Sequence, residues 1–179
     1  MTKPVVLITG ASSGIGATYA DRFAQRGHDL VLVARNRDRM EALAARLRAD
    51  TGVAVDIIGA DLAVDGDIAT VAARLSEDRR IGVLINNAGV ALAGSFDTQD
   101  ADDVARLVAV NATAVMRLAH AVAPRFVAEG SGAIVNIGSV VGLAPEFGQT
   151  IYGATKAFVQ FLSQGLAQEL GPKGIYVQA

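Results

Sequence analysis

The chain has 179 residues, 51% hydrophobic and 19% charged, with 16 Lys and Arg against 18 Asp and Glu. That much apolar surface can offset the entropy of ordering a globular fold, so a disordered chain is excluded and residues 1–179 read as a single domain. A formal charge of −2 offers no electrostatic footprint for nucleic acid or an anionic membrane. There is no cysteine, and the two histidines, His28 and His120, lie far apart, so neither a disulfide scaffold nor a metal site is expected. No unbroken apolar run approaches the ~20 residues of a membrane span. The N-terminal run Val5–Ile8 is too short for a signal-peptide core, and a cytoplasmic location is expected.

The chain alternates between short β-rich runs and longer segments of helical spacing. The runs are Val5–Ile8, Leu30–Ala34, Val53–Ile58, Val83–Ile85, Ala133–Ile137 and Ile175–Val177. Residues 14–27 carry Ile15, Tyr19, Phe23 and Ala24 on one stripe, and residues 37–50 carry Met40, Leu43, Ala44 and Leu47. Residues 67–77 repeat the pattern with Ile68, Val71, Ala72 and Leu75, and 100–128 continue it from Val104 to Phe126. This alternation predicts an α/β fold, a doubly wound, mostly parallel sheet of the Rossmann type. Val5–Ile8 and Leu30–Ala34 are unbroken, as parallel strands covered on both faces should be. Asp56 interrupts the third run, which suits an edge strand in the order 3-2-1-4-5-6, or else a strand end. Residues 151–170 are apolar almost all round, which predicts either burial of both faces within the subunit or, favoured in so small a chain, burial of one face by a second subunit.

The first strand is followed by Thr9-Gly10-Ala11-Ser12-Ser13-Gly14-Ile15-Gly16. Glycines between a strand and a helix let backbone N–H groups approach a pyrophosphate at the helix N-terminus. Gly10 suits the tight turn, Gly14 the close approach of phosphates, and Gly16 the packing of the helix near the sheet. Ser12 and Ser13 add hydroxyl donors. The spacing is G-x-x-x-G-x-G rather than the generic G-x-G-x-x-G. After the second strand comes Arg35, where an NAD site would carry an acidic residue. A guanidinium there suits a 2′-phosphate, favouring NADP over NAD. Asp61-Leu62 follows the third strand, and Asp61 suits either the adenine amino group or a helix N-cap. Asn86-Asn87-Ala88-Gly89 leaves ligand space at the carboxyl end of the fourth strand.

Tyr152 and Lys156 are spaced i, i+4, on one face of a predicted helix. An ammonium beside a phenol favours the phenolate, which would make the tyrosine a usable acid and base. Ser139, just past the fifth strand, could hold a substrate oxygen while Tyr152 exchanges a proton with it. Asn111 interrupts the long helix. It suits either a water anchor near the lysine or a buried structural amide.

Taken together, these motifs resemble the short-chain dehydrogenase/reductase family in order and spacing, over essentially the whole chain. The resemblance implies Tyr152 as acid/base and Lys156 as the group that tunes it and binds the nicotinamide ribose. It implies Ser139 orienting the substrate oxygen and Asn111 supporting a proton relay. It also implies NADP(H), a small carbonyl or alcohol substrate, and homodimers or homotetramers formed through helices like 100–128 and 151–170. Family members usually continue past the strand at Ile175 into a substrate-binding segment and a last strand. The chain is therefore expected to be truncated or part of a longer product, with that segment absent. Apolar Val141–Pro145 suggests a lipophilic substrate. Two other functions share some of these features: a non-catalytic dinucleotide-binding regulator or scaffold, and an epimerase or dehydratase of nucleotide sugars.

Overall fold

The computed structural model describes residues 3–179. Val5–Thr9 forms β1, and the glycine turn leads into α1 at Gly14–Gln25. Next come β2 (Leu30–Ala34), α2 (Arg37–Thr51), β3 (Val55–Gly59) and α3 (Asp65–Glu77). The second half comprises β4 (Ile81–Asn86), α4 (Ala101–Val108), α5 (Ala114–Glu129), β5 (Gly132–Asn136), α6 (Thr150–Leu170) and β6 (Ile175–Gln178). The six strands are all parallel, in the order β3-β2-β1-β4-β5-β6. That is the expected doubly wound arrangement.

Strand alternation sorts the core into two layers. Val5 and Leu7 of β1 join Val31, Val33, Leu84 and Ile134 on one face, under α3 and α5. Val6 and Ile8 join Leu30, Leu32 and Ile85 on the other, under Ala20 and Ala24 of α1 and Met40, Ala44 and Leu47 of α2. β3 pairs only with β2, and its Asp56 is exposed and ion-paired to Arg74 of α3 at 2.5 Å. The charge in that run thus marks the sheet edge, as expected.

Helix ends follow local chemistry. Asn36 Oδ1 accepts from the Arg39 amide at 2.9 Å to cap α2, which stops at Gly52 in the left-handed conformation. Asp61, a candidate cap of α3, is not its N-cap. That position is Val64, and Asp61 turns the chain three residues earlier by accepting from the Ala63 amide.

One further expectation is corrected. The predicted helix 100–128 is not uniform, because a single π-helical turn at Ala109–Thr113 separates α4 from α5. The combined helix Ala101–Glu129 is also long and apolar enough to cross a membrane, by length and composition. No single unbroken run revealed this, because Asp102, Asp103, Arg106, Arg117, Arg125 and Glu129 punctuate a high average hydropathy. Half of its most apolar window is buried, with Leu118, Val122 and Phe126 in the core beside α3.

Candidate active site

The carboxyl ends of β1 and β4 are tied together at the glycine turn. Thr9 Oγ1 accepts from the amides of Asn87 and Ala88, both at 3.0 Å. Asn87 Nδ2 returns bonds to the carbonyls of Thr9 (2.9 Å) and Gly10 (3.2 Å). Gly10 turns the chain with φ +64°, a conformation that side chains resist. A Cβ on Gly16 would collide with the Gly10 carbonyl oxygen and the Asn87 amide. The close approach at Gly16 is therefore to Gly10 and Asn87, which directly follow the carboxyl ends of β1 and β4. Gly14 opens α1 with φ +54° and open space around it. The Ser12 and Ser13 hydroxyls have no hydrogen bond among the described residues, although Ser13 stands at the N-cap of α1.

A cleft of about 730 Å³ runs along this edge. The turn contributes Gly10, Ser12, Ser13 and Ile15 to its wall, and β4 contributes Asn87, Ala88 and Gly89. Arg35, Asp61 and Leu62 line the end nearest the sheet edge. Arg37, beside them in sequence, instead pairs with Glu41 on the surface of α2.

The structure adds two arginines to the sequence reading. Arg39, on the first turn of α2, lines the cleft with Arg35, and neither has an ion-pair partner among the described residues. Its spacing of four from Arg35 was a usable signal. Arg106 of α4 also lines the cleft and donates to Asp61 Oδ2 at 2.6 Å, a pairing across 45 residues with no local signature. Burial raises the Asp61 pKa, but the Arg106 hydrogen bond, the Ala63 amide and the charges of Arg106 and Arg35 outweigh it. The net pKa lies below the ordinary aspartate value.

Gly89 links the cleft to the predicted catalytic face. A Cβ there would stand 3.8 Å from Lys156 Nζ and 3.4 Å from Asn111 Oδ1. Lys156 is only 5% exposed, and its Nζ donates to the Ile137 carbonyl at 2.6 Å and lies 5.7 Å from the centre of the Tyr152 ring. Desolvation holds the Lys156 pKa below the ordinary value. Tyr152 and Lys156 therefore share one face beside the glycine-turn cleft.

Asn111 lies in the π turn, fully buried. Its amide clamps the backbone of Val90, accepting from N–H and donating to C=O at 2.8 Å each. It also reaches Thr155 Oγ1 at 3.3 Å. Its side chain is thus occupied in holding the β4 loop against α6. Ser139 begins the turn after β5, with Oγ accepting from the Val141 amide at 3.3 Å. A Cβ on Gly142, in the same turn, would strike the backbone between Lys156 and Ala157, so this loop packs directly on α6.

A model of the short chain dehydrogenase family matches residues 4–179. The very-long-chain 3-oxoacyl-CoA reductase of Bos taurus is 36% identical over 97% of this chain and 56% of its own length. The chain thus spans little more than half of that curated relative. The sulfoacetaldehyde reductase of Chromohalobacter salexigens is 42% identical over 96% of this chain and 68% of its own. Among solved structures, the bulky-bulky ketone specific alcohol dehydrogenase from Comamonas testosteroni is 65% identical, with a TM-score of 0.99. That match covers 100% of this chain and 72% of the other. A short-chain dehydrogenase from Sphingobium yanoikuyae, solved in complex with NADPH, is 69% identical with a TM-score of 0.97, over 98% of this chain and 69% of that one. With the sheet order, the glycine turn and the paired Tyr152 and Lys156 all in place, the chain belongs to the short-chain dehydrogenase family.

Proposed function

We propose that the protein is an NADP(H)-dependent oxidoreductase interconverting a ketone and a secondary alcohol, with residues 1–179 forming its dinucleotide-binding and catalytic domain. The observation that carries this reading is the position of Gly89, which lines the cleft and has room beside Lys156 and Asn111. Position 89 therefore joins the nucleotide cleft to the catalytic residues.

The residues of the cleft fit a phosphorylated dinucleotide. The glycine turn, the Ser12 and Ser13 hydroxyls and the N-terminus of α1 would hold the pyrophosphate, with Gly14, Ile15 and Gly16 shaping the approach. Arg35 and Arg39, without an ion-pair partner among the described residues, would take the 2′-phosphate. Asp61 and Leu62 would flank adenine, while Asn87, Ala88 and Gly89 form the floor towards the nicotinamide. Bound nicotinamide supplies or accepts the hydride. Tyr152 passes the proton to or from the substrate oxygen, and Ser139 donates a hydrogen bond to that oxygen. Lys156, its Nζ 5.7 Å from the centre of the Tyr152 ring, would also bind the nicotinamide ribose. Asn111 holds the β4 loop in register with α6 and supports the relay.

The substrate reading is a lipophilic small ketone or alcohol. Val140, Leu143 and Phe147 stand 64%, 70% and 55% exposed in the loop after Ser139, an apolar surface beside the reacting groups. The reading includes a cytoplasmic site of action and self-association through α4, α5 and α6. Phe161 (79% exposed) and Phe158 of α6, with Val108 and Met116, supply the apolar surface for that contact.

The test is NADPH consumption on a panel of neutral ketones, with Tyr152→Phe as control. Turnover reduced at least 10²-fold by the substitution, with NADPH binding retained, is expected. NADPH binding without turnover of any carbonyl would replace this reading with a dinucleotide-binding regulator. Arg35→Ala should weaken NADPH at least tenfold more than NADH, as expected for a lost charge-assisted bond worth roughly 1.5–3 kcal/mol. Equal weakening would remove the argument for the 2′-phosphate.

A further inference from the structure

Asp61 and Arg106 meet across the cleft from opposite sides. Asp61 follows the edge strand β3, whereas Arg106 is carried by α4. Arg106 Nη2 lies 2.6 Å from Asp61 Oδ2, and the Ala63 amide lies 3.0 Å from Asp61 Oδ1. Their side chains are 37% and 27% exposed, so water screens the pair only in part. Arg35 and Arg39 line the same cleft, and the charge of Arg35 is felt at the Asp61 carboxylate.

A carboxylate in this position is a liability for binding a phosphate. Left unpaired, Asp61 would compete for the Arg35 guanidinium and repel an incoming dianion. Arg106 cancels that charge, while the second lone pairs on the carboxylate oxygens stay available as acceptors. Arg106 also fixes the orientation of the carboxylate, because it pulls Oδ2 towards α4 while the Ala63 amide holds Oδ1.

Building on the NADP(H) reading, we infer that Arg106 is a positioning residue that sets cofactor preference from across the cleft. By neutralising Asp61 it keeps Arg35 and Arg39 available for the 2′-phosphate. The preference for a phosphorylated cofactor then depends on a charge relay of Arg106, Asp61 and Arg35, in which the first member need not touch the cofactor.

The test is a titration of the protein and its variants with NADPH and with NADH, followed by the fluorescence of the reduced nicotinamide. Arg106→Gln should raise the Kd for NADPH about tenfold and that for NADH less than about threefold, the scale of one unscreened charge at a partly exposed site. Adding Asp61→Asn to Arg106→Gln removes the uncompensated carboxylate. The NADPH-to-NADH ratio should then return to within about threefold of the parent. A purely structural role would weaken both dinucleotides alike, because they differ only in the 2′-phosphate. An unchanged ratio in Arg106→Gln overturns the inference. A double variant still poor for NADPH assigns Arg106 to the phosphate directly and also overturns it. A parent protein that binds neither dinucleotide defeats the cofactor reading first, whereas a parent that binds NADPH with a ratio indifferent to Arg106 defeats this inference alone.

Discussion

Helices α2 and α6 cover the same kind of parallel sheet and obey opposite rules. α2 buries Met40, Ala44 and Leu47 and turns its charges to water. α6 buries Thr155, Lys156 and Ser163 beside Val159 and Leu170, and leaves Phe158 and Phe161 in the open. The neighbouring strands match. β1 and β2, covered on one face by α1 and α2, are apolar along most of their length, with Thr9 as the buried exception. β4 and β5 carry Asn86 and Asn136, both buried, and Asn136 Nδ2 donates to Ser163 Oγ of α6 at 2.9 Å. One helix is held by the hydrophobic effect. The other adds to its apolar contacts at Val159 and Leu170 a set of hydrogen bonds that hold an ammonium beside the cleft. Burying an ammonium costs stability, so the lysine is retained there at a cost that α2 does not bear.

Substitutions can sharpen or break this contrast. Leu47→Ala in α2 should destabilise the fold most, by about 3 kcal/mol in urea unfolding, because a fully buried side chain leaves a cavity. A loss below about 1 kcal/mol would mean that α2 is not the purely apolar helix described. Ser163→Ala in α6 should cost about 1–2 kcal/mol in the same measurement. It strands Asn136 Nδ2 and removes the bond from Ser163 Oγ to the Val159 carbonyl (2.7 Å). A neutral outcome would show that α6 does not depend on its polar ladder.

Lys156→Met should abolish the proposed turnover yet change stability by no more than about 1 kcal/mol, since the loss of a donor to Ile137 is offset by relief from desolvation. The pH dependence gives a further check. Burial depresses the folded-state pKa of Lys156, so between that value and the ordinary 10.5 the unfolded chain binds more protons than the folded one. The parent should therefore gain stability relative to Lys156→Met as pH rises through that window, and the gain should be absent below it. A difference that runs the other way would mean that the folded state favours the charged amine. The smallest effect belongs to Phe161→Ser, within about 0.5 kcal/mol in thermal melts at low concentration. Sedimentation at high concentration should show a shift towards smaller species, and an unchanged distribution would remove Phe161 from the proposed contact.

The same contrast explains what could be read from residues alone. The stripe Met40, Ala44, Leu47 is a local pattern whose physical cause, burial of an apolar face, operates within one helix, and the structure reproduces it. The α6 pattern was legible as an excess of apolar residues, but which face would turn inward was not. Periodicity assigns the apolar face to the core, whereas here the polar atoms of β5 and the Ile137 carbonyl capture the polar one. The π turn at Asn111 was equally hidden. Its amide is matched to the backbone of Val90, 21 residues away, and no spacing rule encodes that distance.

Short-range chemistry was therefore sufficient for the strand–helix alternation, the glycine turn after β1, the charged edge strand and the i, i+4 pairing of Tyr152 with Lys156. Each depends on dihedral preference or on neighbours within a turn or two. Folding in three dimensions settled the rest: the lysine under Gly89, the Arg39 and Arg106 walls of the cleft, and the clasp between Asp61 and Arg106. These depend on which strand ends and helices the winding order brings side by side, and such proximity is a property of the assembled sheet rather than of any segment in it.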